Sequence, residues 1–319
     1  MHNGKNNRLL LILTIATLAI AGFYILYQLN FDILFYQLPS RVNRVVTMLI
    51  VGIAIAVSTV IFQTITKNRI LTPSIMGLDS VYLFIQTIIV FIVGTSSPLL
   101  TNDFVNYLVS MLGLVVFTVL VFKYLFRLTG NHVFLLLLIG IILGTFFNSL
   151  STFMQMLINP DDFLILQNSM FASFNAINDS LIWITGAIVL LMLIIVLRDF
   201  HSLDVIALGR DHAINLGINY DRKVSQLLLI IAVLVSVSTA LVGPIMFLGL
   251  LVVNLAHEMF KTFKHRYLLL GSTLIAVITL LLGQMLTQYV FNQAVEISVI
   301  INLVGGVYFI ILMLKESRR

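Results

Sequence analysis

The 33 residues from Val224 to Ala256, VSQLLLIIAVLVSVSTALVGPIMFLGLLVVNLA, carry no ionisable side chain. As one α-helix this block would run about 50 Å, well beyond the roughly 30 Å hydrocarbon core of a bilayer. Gly243-Pro244 lies inside it. Proline removes a backbone donor and clashes with the preceding turn, so the block divides into a helix over 225–241, a tight turn, and a short helix over 245–257 that need not cross completely. A hairpin of this kind belongs in lipid.

The rest of the chain agrees. Of 319 residues, 60% are hydrophobic and 10% charged, where a soluble domain carries about 25% charged residues. Further apolar runs fall at 9–29, 45–65, 80–94, 104–122, 133–158, 181–197, 267–290 and 297–314. With roughly 20 residues needed per span, these runs and the divided block make about ten transmembrane helices. The expected fold is therefore all-α and polytopic, a single transmembrane domain over 1–319 with no room for a soluble catalytic domain. The segment 163–174 is too short to span and reads as interfacial or re-entrant. With no cysteine in the chain, disulfides, thiol nucleophiles and cysteine-held metals are excluded.

Charge sets the expected orientation. Sixteen of the eighteen Lys and Arg residues fall in alternate inter-span segments, and only Arg41 and Arg44 fall outside them. Positive residues near span ends are retained on the cytoplasmic side, so both termini are expected there. The net charge of +5 is scattered through short loops, which is topology and not a nucleic-acid footprint. Lys5, Arg8, the apolar run and Ala19-Ile20-Ala21 also mimic a cleavable secretory signal, although the run continues to Leu29, beyond the usual length.

Ion-coupled transporters place an ionisable group within the bilayer. Here all thirteen Asp and Glu and all six His fall in loops or at expected span ends. No G-x-x-x-x-G-K-[ST] phosphate loop is present either, so a partner must supply the energy. Neither a catalytic residue, a resident cofactor nor a metal site is expected. The best-organised polar set lies on the fifth span: Gly144, Asn148, Ser151, Thr152 and Gln155, near i, i+4, i+7, i+8, i+11 spacing. Such a stripe either glues helices together or lines a pathway.

Between the second and third spans, QTITKNRILTPSIMG (63–77) resembles the Q-x-x-x-x-N-P-L-A-x-P-x-x-x-G element of the FecCD-type iron-chelate and cobalamin permeases of ABC importers, with Gln63, Asn68, Pro73 and Gly77 in register. Pro39, Arg41 and Gly52 resemble its L-P-R and glycine positions, with Ser40 displacing the arginine. ALGRDHAINLGI (207–218) is similar to its L-G-x-x-x-A-x-x-L-G element, and GPIMFLGLLV (243–252) to its G-x-I-x-F-x-G-L-x-V; Glu296 and Gly305-Gly306 match the last loop and span. The resemblance covers roughly 38–314. It departs at VVNLAH (252–257), where Val253, Asn254 and His257 replace Pro, His and Arg, and at Arg69, Ser298 and Val307, where proline is usual.

The resemblance implies a type II ABC importer permease fold that moves an iron chelate, a ferric siderophore in the first instance and cobalamin or haem in the second. A self-sufficient secondary transporter is the reading from another class. The resemblance further implies two cytoplasmic ATPase subunits, a second and different permease, and an extracellular substrate-binding protein. On the outer face, Arg41 and Arg44 at i, i+3 spacing are expected to dock that binding protein or to anchor in headgroups. Along the dimer seam, Asn148, Thr152 and Gln155 are expected to line the pathway. In the cytoplasmic loop 198–223, a short coupling helix is expected around Leu208, Gly209, Arg210, Ala213, Leu216 and Gly217. Asp204 is its expected N-cap, and small Gly209 and Ala213 are expected to let the ATPase approach. A helix lying on the membrane surface is the alternative there.

Overall fold

The computed structural model describes residues 2–29, 32, 34–121, 133–175 and 177–317. Lys123, Arg127, His132, Arg318 and Arg319 lie outside the described residues.

Among the described residues, thirteen helices follow in order: α1 His2–Leu26, α2 Leu34–Thr66, α3 Leu78–Val93, α4 Asp103–Leu120, α5 Val133–Gln155, α6 Pro160–Ser169, α7 Asp179–Arg198, α8 Phe200–Ile206, α9 Arg210–Asn215, α10 Tyr220–Val242, α11 Leu248–Phe260, α12 His265–Met285 and α13 Ile297–Ser317. Single turns at Pro73–Met76 and Pro98–Thr101 and a π-turn at Leu286–Val290 join them. Among the described residues, eight helices are long and apolar enough to cross a membrane, and α3 and α11 are shorter apolar helices. These ten correspond to the ten expected runs.

The divided block behaves as its chemistry requires. Gly243 takes φ +96°, its N–H bonds to the Thr239 carbonyl 2.8 Å away, and α11 starts at Leu248. A side chain at Gly243 would meet the Phe171 carbonyl oxygen at 2.9 Å, because the segment after α6 runs against this turn. Ser173 N–H donates to the Val242 carbonyl at 2.9 Å and Ala172 N–H to the Ser298 hydroxyl at 3.0 Å. The region expected to be interfacial is thus a ten-residue helix followed by a buried extended strap in which Ala172 and Phe174 are fully enclosed.

Three helices form the centre. In α2, α10 and α12, 72%, 67% and 61% of the apolar window is buried, against 17% in α1 and α5 and 22% in α4 and α13. Helix α2 packs on both α10 and α12, while α5 packs on α3. The outer helices therefore offer apolar faces to lipid or to another subunit. Helix α2 begins at Leu34, well before the apolar run at Val45, and accommodates Pro39 near its start.

Candidate functional site

Every element of the outer, central and inner regions can be traced to a few side chains. Arg41 sits within α2 and is only 4% exposed. Its Nη1 donates to the carbonyls of Tyr24 (3.2 Å), Ile25 (3.1 Å) and Tyr27, and its Nη2 to that of Gln28 (3.2 Å). These are the orphan carbonyls at the C-terminal end of α1, which a cation satisfies best. Arg41 is therefore an internal cap and not an exposed docking residue, a correction to the sequence expectation. Arg44 is half-buried; its Nη2 donates to the Asn175 carbonyl at 3.3 Å. It borders a cavity of about 450 Å³ with Tyr36, Asn43 and Asp179, and Asn43 donates to Asp179 at 2.6 Å.

On α5 the polar stripe divides into covered and uncovered residues. Gly140 and Gly144 face the Pro73–Met76 turn: a Cβ at Gly144 would sit 2.7 Å from the Gly77 Cα. Gly77 itself has φ +81°. Ser151 is buried and bonds back to Phe147, and Gln155 donates to the Thr87 hydroxyl at 3.2 Å. Asn148 and Thr152, on the same side of the helix by spacing, are exposed. Gly144, Ser151 and Gln155 pack against the chain, while Asn148 and Thr152 are left uncovered by it.

The loop 198–223 holds two short helices. Asp204 lies inside α8 and is not the N-cap of α9; it accepts the His265 N–H at 2.8 Å and lies 2.6 Å from His265 Nδ1. His265 Nε2 is 2.7 Å from the Thr64 hydroxyl, so one buried imidazole joins α8, α12 and α2. The N-cap of α9 is Gly209. Gly217, φ +84°, terminates that helix as expected, with Ile218 N–H returning to the Ala213 carbonyl at 3.0 Å.

The two small residues expected to meet the partner face inward. Ala213 is fully buried within the main core, and Gly209 is covered by Lys67. Instead Leu208, Ile214 and Leu216 are 57%, 49% and 62% exposed. Arg210 pairs with Asp221 at 3.1 Å, tying α9 to the start of α10. Helical spacing alone cannot say which face of a six-residue helix turns inward; the neighbouring core decides.

Asp79 was read as a span-end residue. It does occupy the first turn of α3, but it is 4% exposed and its Oδ2 has no hydrogen-bond partner, so that span end is interior. In the 63–77 element, Gln63 Nε2 (2.7 Å) and Asn254 Nδ2 (2.9 Å) both donate to the Arg69 carbonyl. Asn254 is one of the departures noted in the sequence, and it fixes the backbone of another. Nothing in the spacing of the sequence announced either this contact or the Asp204–His265–Thr64 link, because the partners lie far apart along the chain.

A profile of the FecCD transport family matches residues 9–315. The petrobactin import system permease protein YclO of Bacillus subtilis (strain 168) is 52% identical over 298 residues, covering 93% of this chain and 94% of that protein. The petrobactin import system permease protein FatC of Bacillus anthracis is 34% identical over 276 residues, covering 86% and 78%. Among solved structures, an inward-facing metal-chelate type ABC transporter superposes with a TM-score of 0.83 at 24% identity, covering 97% of this chain and 99% of that one, which establishes the fold.

Proposed function

The chain belongs to the FecCD transport family, and from that premise we propose that it is one permease of an ABC importer carrying a ferric siderophore of the petrobactin kind into the cytoplasm. The observation that carries this reading is the 52% identity to a petrobactin permease across nearly the full length of both proteins. The whole chain acts as one permease domain in the bacterial cell membrane, with both termini and the segment 198–223 in the cytoplasm. ATP hydrolysis belongs to two copies of a separate subunit.

Three surfaces divide the work. The exposed Leu208, Ile214 and Leu216 form an apolar patch that seats in the ATPase subunit, while buried Ala213 and Gly209 and the left-handed Gly217 shape the helix carrying it. The exposed Asn148 and Thr152 line a weakly binding pathway at the seam with a second, different permease, with Gln155 at its wall. A pathway without a tight site passes its cargo on, leaving selectivity to the extracellular binding protein. That protein docks beside Arg44, with Arg41 holding the rim from within.

The test is to purify the tagged chain in mild detergent, identify its companions, and measure uptake of radioactive iron presented with different chelators. Co-purification of an ATPase and a second permease, with uptake that survives collapse of the ion gradient and stops on ATP depletion, is the expected result. Uptake driven by the gradient alone would overturn the proposal.

A further inference from the structure

Independently of transport, a cavity of about 590 Å³ lies between the ends of α2 and α11 and the start of α12. Its lining includes Lys67, Arg69, Lys261 and His257 and contains no carboxylate. Among the described residues, none of the three permanent cations has an Asp or Glu within 4.0 Å. Asp204, which touches the lining through His265, is engaged by that ring.

The backbone supplies a second observation. Lys67 and Lys261 immediately follow the last residues of α2 and α11, with φ +51° and +46°. This left-handed position after a helix is ordinarily filled by glycine, and another residue there stores strain that calls for a reason. A cation anywhere in the last turn would satisfy the helix dipole without that strain. Both strained lysines instead line one cavity together with Arg69, whose carbonyl is pinned by Gln63 and Asn254. At the mouth, Phe263 is 78% exposed and neighbours exposed Lys264 and Arg266, an apolar tip among cations suited to a membrane boundary. Basic pockets between membrane helices bind anionic headgroups.

We propose that this cavity binds a phosphate group, presented as the headgroup of an anionic phospholipid or as free inorganic phosphate. The test heats the purified full-length chain with inorganic phosphate, with phosphatidylglycerol, and with zwitterionic phosphatidylcholine in mixed micelles. The same series is run on a Lys67→Gly/Lys261→Gly double variant and on Arg69→Gln. Glycine suits both left-handed positions and offsets the loss of the Lys67 Nζ contact with the Leu208 carbonyl at 3.5 Å, so the double variant should melt close to the parent without ligand, and Arg69→Gln keeps the carbonyl contacts. The expected result is a ligand-dependent rise in melting temperature whose apparent affinity falls at least about tenfold in both variants. Stabilisation by phosphatidylglycerol alone identifies the lipid headgroup as the source; stabilisation by inorganic phosphate as well shows that the anion suffices. Unchanged affinity in both variants, or phosphatidylcholine acting as strongly as phosphatidylglycerol, overturns the proposal.

Discussion

Arg41 and Arg44 stand three residues apart on one helix, yet their environments assign them different work. Arg41 neutralises four backbone carbonyls at the end of α1, and hydrogen bonds involving a charge are worth about 1.5–3 kcal/mol each. Arg41→Ala should therefore lower stability by roughly 3 kcal/mol in a thermal or denaturant melt, since water reaches some of the freed carbonyls. Arg44→Glu should leave the melt nearly unchanged and alter the rate and salt dependence of binding-protein association. An Arg41→Ala protein as stable as the parent would remove the capping role. Gly144 offers a second contrast: a branched side chain there collides with the Gly77 backbone, whereas Gly306 has open space around it. Gly144→Val should cost roughly 1–3 kcal/mol, and Gly306→Ala should be close to neutral in the same assay.

At the level of helices, the coupling segment acts through two devices. In the coupling proposed above, its exposed leucines would meet the partner, and the Asp204–His265–Thr64 link, which joins α8 to α12 and α2, would carry displacement of α8 into them. Leu208→Glu with Leu216→Glu should leave the protein inserted while reducing transport per ATP hydrolysed by about tenfold, equivalent to about 1.4 kcal/mol of lost coupling. Asp204→Asn should also reduce that ratio, with ATPase binding intact, because the amide keeps a hydrogen bond to the ring but loses the charge. Wild-type coupling in both variants would refute the role given to this segment. Ala213→Trp is a poorer probe, since Ala213 is enclosed by the chain's own core and the variant would disturb the helix itself.

For the assembled transporter, the covered and uncovered residues of α5 make the discriminating prediction. Cysteines placed at Asn148 and Thr152 in this cysteine-free chain should react with water-soluble thiol reagents in at least one transport state. One at Ser151, which is 1% exposed, should stay protected throughout. Protection of all three in every state would make the outer face of α5 a dry contact with the second permease and leave it no part in the pathway.

Composition, run length and the Gly243-Pro244 break were enough to establish a helical membrane protein with about ten apolar helices, because lipid admits backbone only where its hydrogen bonds close within a helix. Spaced motifs such as Gln63, Asn68, Pro73 and Gly77 were enough to point to the family. Periodicity also located the short helix after Gly209 and its stop at Gly217. It could not say that Ala213 faces inward and the leucines outward, that Arg41 turns back to cap α1, or that Asp204 reaches across to His265. Those outcomes depend on which carbonyls, cavities and core surfaces distant segments bring alongside, and a side chain's role is decided by that surrounding chemistry once the helices have packed.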